Sequence, residues 1–558
     1  MTKILSTFVG FIFFGSIASA QLTEFSQGDI LSAGAMNQNF KYLEDRFGGL
    51  NEKTVDCGTS GTGSGINAAI KDGYNSIIVK GICKENISIL ANDGKRGYLK
   101  LKGFNNDQTS DKIVDNSSNS NAVIKIEGSM VLKIDNLTLS GGDRGIRVDG
   151  TSSIFADNIT VESYTSFGIQ IEGPSYVELG SVKIDGTKQS ANDDVGVKLG
   201  AGSYGYYHGT TTVNGNSSNS GGIAASGGII WMTGTINLDS NRQGLVIESG
   251  GKMGLFNSNT TITNSTDYGI KAYFGQLWNY GTMTISDNSD GNRGITIDRS
   301  DAYLTNLTVT GGNGSGNLVE VYDSRLTFDG VNIKNHQGTL LDVNRSILKI
   351  EGTNTITNES NSSGCLVIYR NVNFQIEGST TINGSNNSGC NALNIIYSRG
   401  EIENLTISSP VESIYSSFSD INIRGGSYSS TGKSAIKVDD GSRIVIESSN
   451  NISISSSSSE QEALQIRNGS VAKIKQAGNS LSIDAPNYSP DIIVRGKSQA
   501  KVDIEGTIAS FEIREMSFLE LDSGTLTLLS CGSMSYAEKD GGTISTVNGN
   551  CNYGSNSY

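Results

Sequence analysis

From about Val55 onward the chain is written in short apolar–polar alternations that recur at a regular interval. One run reads Gly145-Ile-Arg-Val-Asp-Gly150, Gly168-Ile-Gln-Ile-Glu-Gly173, Val195-Gly-Val-Lys-Leu-Gly200, Gly244-Leu-Val-Ile-Glu-Ser249 and Gly294-Ile-Thr-Ile-Asp-Arg299, with later copies at Leu318, Leu340, Leu366, Ala435 and Leu464. A second reads Asn136-Leu-Thr-Leu139, Asn158-Ile-Thr-Val161, Asn306-Leu-Thr-Val309 and Asn404-Leu-Thr-Ile407. A third, weaker run lies between them, as in Met130-Val-Leu-Lys-Ile134 and Ser300-Asp-Ala-Tyr-Leu304. Alternation with period two predicts strands with one face toward a core. Recurrence every 20 residues or slightly more, about 20 to 27, is the period of a solenoid.

Each repeat therefore predicts about three strands, separated by Gly, Asn, Asp and Ser, which tolerate left-handed dihedrals. Equivalent strands lie one repeat apart, so the repeats stack in parallel register, unlike the antiparallel hairpins of a sandwich. The predicted fold is all-β, a right-handed parallel β-helix solenoid, the hand following the crossover preference. About 18 turns at strand spacing give a rod roughly 85–90 Å long. Asn136, Asn158, Asn306 and Asn404 recur at one corner and predict a ladder of stacked side chains. Only 4 Pro interrupt the chain, as strand ladders require.

The first 46 residues do not follow this pattern. Lys3, the apolar stretch Ile4 to Ile17 and Ala18-Ser19-Ala20 form a signal peptide pattern with a small-residue cleavage site, which predicts export through the Sec route to the periplasm, the cell surface or the medium. No transmembrane segment is expected. Beyond it, Met36, Phe40, Leu43 and Phe47 have helical spacing behind the capping Ser32. The domains expected are a signal peptide (1–20), a short N-terminal helical cap or oligomerisation segment (21–54), the parallel β-helix (55–530) and a disulfide-closed cap and tail (531–558).

Composition adds the compartment and narrows the partners. Six Cys fall into local pairs, Cys57–Cys83, Cys365–Cys390 and Cys531–Cys551, each about one repeat apart. In an exported chain they predict disulfides, although six Cys allow about 15 connectivities. The last pair would staple the edge after the strand Thr525-Leu-Thr-Leu-Leu529. A net charge of −14 excludes a general nucleic-acid binder, which needs a basic stripe, and disfavours acidic polysaccharides over the average surface.

Two stretches carry resemblances. Thr54-Val-Asp-Cys57, Ile66-Asn-Ala-Ala-Ile70 and Ile77-Ile-Val-Lys-Gly-Ile-Cys83-Lys-Glu-Asn-Ile-Ser-Ile89 resemble the first turn of bacterial right-handed parallel β-helix repeat proteins, a broad family similar in fold to pectate lyases. It includes lyases, hydrolases, epimerases, phage tailspikes and adhesins, so the resemblance implies a fold and leaves the activity open. Phe25-Ser-Gln-Gly-Asp, Ser32-Ala and Met36-Asn-Gln-Asn-Phe-Lys-Tyr-Leu43 resemble the start of phage tail-fibre-like and trimeric adhesin proteins. That implies self-association, as a homotrimer through residues 25–47; a simple solenoid cap is the other reading.

Catalytic chemistry is sparse. The only two His, His208 and His336, lie on different turns. Asp193 and Asp194 form an acid pair before a strand, but they lack the stacked partner acid that a β-helix glycoside hydrolase uses; turn residues are the plainer reading. Asp143, Asp149 and Glu172 with Arg144 and Arg147 fall on neighbouring turns, where a lyase would gather Ca²⁺ ligands beside a base. Each also suits a solvated face, and no Ca²⁺ motif is present. No metal site and no cofactor are expected. Tyr204, Tyr206, Tyr207 and His208 form an aromatic cluster, read either as a surface loop or as a sugar-stacking platform. The sequence thus favours a fibre-like adhesin or carbohydrate-binding rod for cell-surface, host or prey recognition. A polysaccharide lyase or glycoside hydrolase with a groove along the helix is the alternative.

Overall fold

The computed structural model describes residues 51–554, except 91–96, 107–108, 118–120, 187–193, 216–219, 287–292, 313–315, 359–365, 385–390, 477–478 and 550. The predicted signal peptide, the helical segment with its residues 25–47, Asp193 and the Cys365–Cys390 pair lie outside the described residues.

The alternating runs coil into an all-parallel β-solenoid of about 18 turns. Each turn feeds three sheets. In one early turn, Arg144–Asp149 lies in sheet A, 153–157 in sheet B and 159–162 in sheet C. The stacking is in register: Ile146, Ile169, Val197, Ile223, Leu245, Ile270 and Ile295 face one another along sheet A. All are fully buried. Sheets B and C supply similar columns, so one continuous apolar core runs the length of the rod. Close approach of sheets A and C explains the glycine that precedes this column on several turns, as Gly168 precedes Ile169. A Cβ at Gly168 would meet the Gly196 carbonyl oxygen at 2.5 Å and Ile184 Cγ2 at 2.7 Å. Later turns place Leu318, Leu340 and Leu366 at that position, all buried, so the interior there has room for a side chain.

The corners differ from expectation. Asn136 and Asn158 do adopt positive φ at the corner between sheets B and C, and Asn158 Nδ2 donates to Asn136 Oδ1. That ladder is short, because Asn306 and Asn404 stand on turns that are not adjacent. The long ladder is made of serine, at the corner between sheets A and B. The backbone N–H of Ser300 donates to Ser324 Oγ at 3.1 Å, and that of Ser324 to Ser346 Oγ at 3.1 Å. Val372 donates to Ser398 Oγ at 3.0 Å, Ser398 to Ser419 Oγ at 3.0 Å and Ser419 to Ser442 Oγ at 3.1 Å. Each hydroxyl can pass its own proton on, as Ser398 Oγ does to the Ile396 carbonyl at 2.8 Å. Corner amides that no strand can reach are thereby satisfied inside the wall.

At the N-terminal end the first described strand is Glu52–Gly63, followed by the short helix Ile66–Lys71. The buried Glu85 carboxylate caps that helix, accepting the amides of Gly65 at 2.8 Å, Ile66 at 2.6 Å and Asn67 at 3.1 Å. A negative charge there complements the helix dipole. Cys57–Cys83 and Cys531–Cys551 are disulfides, with Cα separations of 5.1 and 5.2 Å. The solenoid does not end at Leu529: Phe518–Cys531 is followed by Tyr536–Lys539, Thr543–Gly549 and Asn552–Gly554, which stack on it in parallel. The second disulfide therefore ties consecutive turns within the wall. No helix among the described residues is long and apolar enough to cross a membrane.

Candidate functional site

The predicted cluster at Tyr204–Tyr207 is a strand of sheet B. Alternation along it separates its residues. Tyr204 and Tyr206 point outward and are half-buried, His208 is exposed, and Tyr207 turns into the core at 1% exposure. Tyr207 faces the core instead of the surface: its phase is that of the core residue Leu179, with which it is in register.

The outward positions belong to something larger. Phe155, Tyr176 and Tyr204 follow one another on consecutive turns, with ring centroids 5.7 Å apart at each step. Tyr206 stands in register with Trp231 on the next strand. From there the rings run Trp231–Phe256 at 5.1 Å, Phe256–Tyr280 at 5.3 Å and Tyr280–Tyr303 at 5.2 Å. The result is an aromatic track over consecutive sheet B strands from 153–157 to Asp301–Thr305, roughly 30 Å at strand spacing. All its rings are half-buried, and it holds both tryptophans of the chain.

A glycine shapes its middle. Trp231 and Trp278 stand two turns apart, with Gly254 between them in register. Their backbones are therefore roughly 10 Å apart, yet their rings stack at 5.9 Å and 21°. They lean together over Gly254, where a Cβ would lie 2.1 Å from Trp231 Cζ3.

Polar groups edge the track. Glu178 accepts from Tyr176 Oη at 3.0 Å and pairs with His208 Nε2 at 3.1 Å. That hydrogen bond holds the His208 pKa above its ordinary value, against partial burial. Burial, then the neighbouring Tyr206, pushes the Tyr204 phenol up to about 12, and burial with Glu178 raises Tyr176 further. Both phenols therefore remain hydrogen-bond donors at any physiological pH. The arrangement can stack planar, weakly apolar faces and hydrogen-bond their rims.

No protein-family model and no curated protein matches this chain.

The other candidates lie apart from the track. Asp194 opens the sheet A strand Asp194–Leu199. Asp149 and Glu172 do stack in register, but the acids of this group have partners: Arg147 pairs with Asp149 at 2.8 Å, Arg144 with Asp143, and Gln170 donates to Glu172 at 3.0 Å. His336 is buried, with Nε2 against the Gly316 carbonyl oxygen at 2.8 Å, and burial lowers its pKa. A carboxylate pair not singled out by sequence sits on sheet A: Glu320 faces Asp342 on the next turn. Asn317 Nδ2 bridges them at 2.9 and 3.1 Å, and Arg293 and Arg370 pair with them at 2.8 and 3.3 Å. Burial raises both pKa values, opposed by the arginines. At 4% exposure each, they are shut off from a polymer. Among the described residues the one group of acids close enough for a metal is Glu520, Asp522 and Asp540, and Lys501 already bridges the first two at 2.6 and 2.8 Å.

Proposed function

We propose that the protein is an exported, surface-exposed carbohydrate-binding rod of adhesin type. A polysaccharide would lie along sheet B, parallel to the rod axis, with successive sugars on the aromatic track. The observation that carries this reading is the line of half-exposed outward rings from Phe155 to Tyr303, two stacked runs joined in register at Tyr206 and Trp231. Sugar rings present flat C–H faces that pack on aromatic rings, while their hydroxyls need partners at the rim; Glu178, His208 and the phenols are such partners. Self-association as a homotrimer through residues 25–47 and Sec export belong to the same proposal. They would hold several tracks together away from a cell.

Binding is favoured over a lyase or hydrolase because Glu178 at the edge of the track is already engaged by Tyr176 and His208, and the paired carboxylates Glu320 and Asp342 are covered. The test is a titration of the mature full-length chain with neutral polysaccharides, followed by tryptophan emission. A saturable change that Trp231→Ala and Trp278→Ala each remove supports the reading. Absence of binding across a broad glycan array, or release of new reducing ends or unsaturated products, would overturn it. Light scattering on the chain with and without residues 25–47 tests the trimer.

A further inference from the structure

The corner between sheets A and B carries a second surface, several turns beyond the track. Its residues sit in the left-handed backbone region, where glycine, Asn and Asp are at ease and bulky side chains are rare. Gly227, Gly441 and Gly469 fill the position on some turns, Asn371 on another, and larger residues such as Phe274, Arg299, Arg345 and Lys497 on others. On two adjacent turns Tyr397 and Phe418 occupy it, at φ 51° and 50°. They are also among the most exposed large apolar residues, at 58% and 53%. Strain and exposure both disfavour them on stability grounds. Their rings stack on each other along the axis, 5.0 Å apart at 7°.

The next turn leaves the stack open. Its corner residue is Gly441, and a Cβ there would meet nothing within 4 Å. One face of Phe418 therefore looks into an unfilled slot. Beside it runs a groove of about 600 Å³ lined by Asn373, Tyr397, Arg399, Phe418, Asp420 and Arg443. Arg443 Nη1 donates to Asp420 Oδ1 at 3.0 Å, whereas Arg399 Nε stands 3.9 Å from Asp420 with 82% of its side chain exposed. Two guanidinium groups thus share one carboxylate, and one positive charge is left over in a chain that is acidic overall.

We propose that this groove is a second ligand site, which takes a terminal sugar bearing a carboxylate. The sugar ring stacks on Phe418 in the slot at Gly441, and its carboxylate lies between Arg399 and Arg443, where a planar guanidinium gives paired hydrogen bonds. From Asn371 to Gly441 the corner spans roughly 14 Å, room for a chain end and too short for an extended polymer. The proposal rests on the same glycan-binding reading but on none of the residues of the track.

The experiment is isothermal titration of the mature full-length chain with 3′-sialyllactose and with lactose. Sialyllactose is expected to bind at least roughly tenfold more tightly, the scale of a charge-assisted paired contact. Arg399→Gln removes that difference. Gly441→Asn fills the slot without deleting a contact, and Asn371 shows that the corner accepts Asn; it is expected to weaken sialyllactose by a similar factor. Equal affinity for the two sugars, or full sialyllactose affinity in both Arg399→Gln and Gly441→Asn, overturns the proposal. Retained sialyllactose binding by a chain that ignores every neutral polysaccharide would sink the track and leave this site standing.

Discussion

Trp231 lies across the backbone of Gly254 on the neighbouring turn, and this overlap lets its indole reach Trp278. Gly254 has ordinary strand dihedrals, and three turns farther on, beyond Trp278 and Tyr303, the same column holds Thr327. Gly254→Thr should therefore keep the fold, with an unchanged far-ultraviolet circular dichroism spectrum. The threonine Cβ pushes the Trp231 ring outward and breaks the stack. The expected readout is a shifted tryptophan emission maximum and a loss of polysaccharide affinity of roughly tenfold or more. Unchanged emission would show that the stack does not depend on the glycine.

The pair of His208 with Glu178 makes one edge of the track sensitive to pH. Its folded-state pKa is raised, so the stabilisation is fully present below the unfolded value of about 6.5 and fades as pH rises through the folded value. His336 shifts the other way, being buried. With two histidines in the chain, nuclear magnetic resonance should show one imidazole titrating above the ordinary range and one below. Glu178→Gln should move only the higher one down.

Glu320 and Asp342 predict an opposite trend to the usual acid sensitivity of proteins. Their pKa values are raised in the folded state, so above the ordinary carboxylate range the native chain holds protons that the unfolded chain has released. Their contribution to stability therefore falls as pH rises through that window and improves on mild acidification. Urea unfolding across it should show the slope, and the double variant Glu320→Gln/Asp342→Asn should flatten it. A slope left intact in the double variant would place the titrating groups elsewhere.

The serine ladder makes a local prediction. Ser398→Ala removes the acceptor of the Val372 amide, in a corner where both residues are buried. Stranding such a group costs about 1–3 kcal/mol. In a solenoid the loss is felt mainly by adjacent turns, so amide exchange at Val372 should accelerate by a matching factor while distant turns keep theirs. Ser427→Ala, outside the ladder, should leave exchange at Val372 unchanged.

The repeat is legible in the sequence because each core residue recurs at a fixed interval, and Ile146, Ile169 and Ile270 announce one column before any coordinates. The corners are harder to read. In a chain full of serine, nothing marks Ser324 or Ser398 until the turns are set in register, whereas Asn before Leu-Thr is conspicuous and yet builds only the Asn136–Asn158 step. The track was half visible. Four aromatic-type residues together at Tyr204–His208 attract notice, but Phe155, Tyr176, Phe256 and Tyr303 stand singly, each in the weakest strand of its repeat. Only the register aligns them. Tyr397 and Phe418 were invisible for a different reason: they stand 21 residues apart, and only the register of adjacent turns brings their rings into a stack.

The serine ladder also has a gap. At Gly228, Gly251 and Gly275 the corner holds no hydroxyl, and these residues precede the strands of Trp231, Gly254 and Trp278. A rod pulled from its two ends bears load through whatever ties one turn to the next. Between the turns of Gly228 and Gly275 the strands and backbone corner bonds, such as Gly250 N–H to the Phe274 carbonyl at 2.7 Å, bear it without the seryl bonds that run from Gly275 to Ser346 and from Val372 to Ser442. Under tension the molecule should yield first beneath its own aromatic face, spreading the rings before the rest of the wall opens. Grip on a polymer would then weaken with force, a property that single-molecule pulling on the bound and free chain can measure directly.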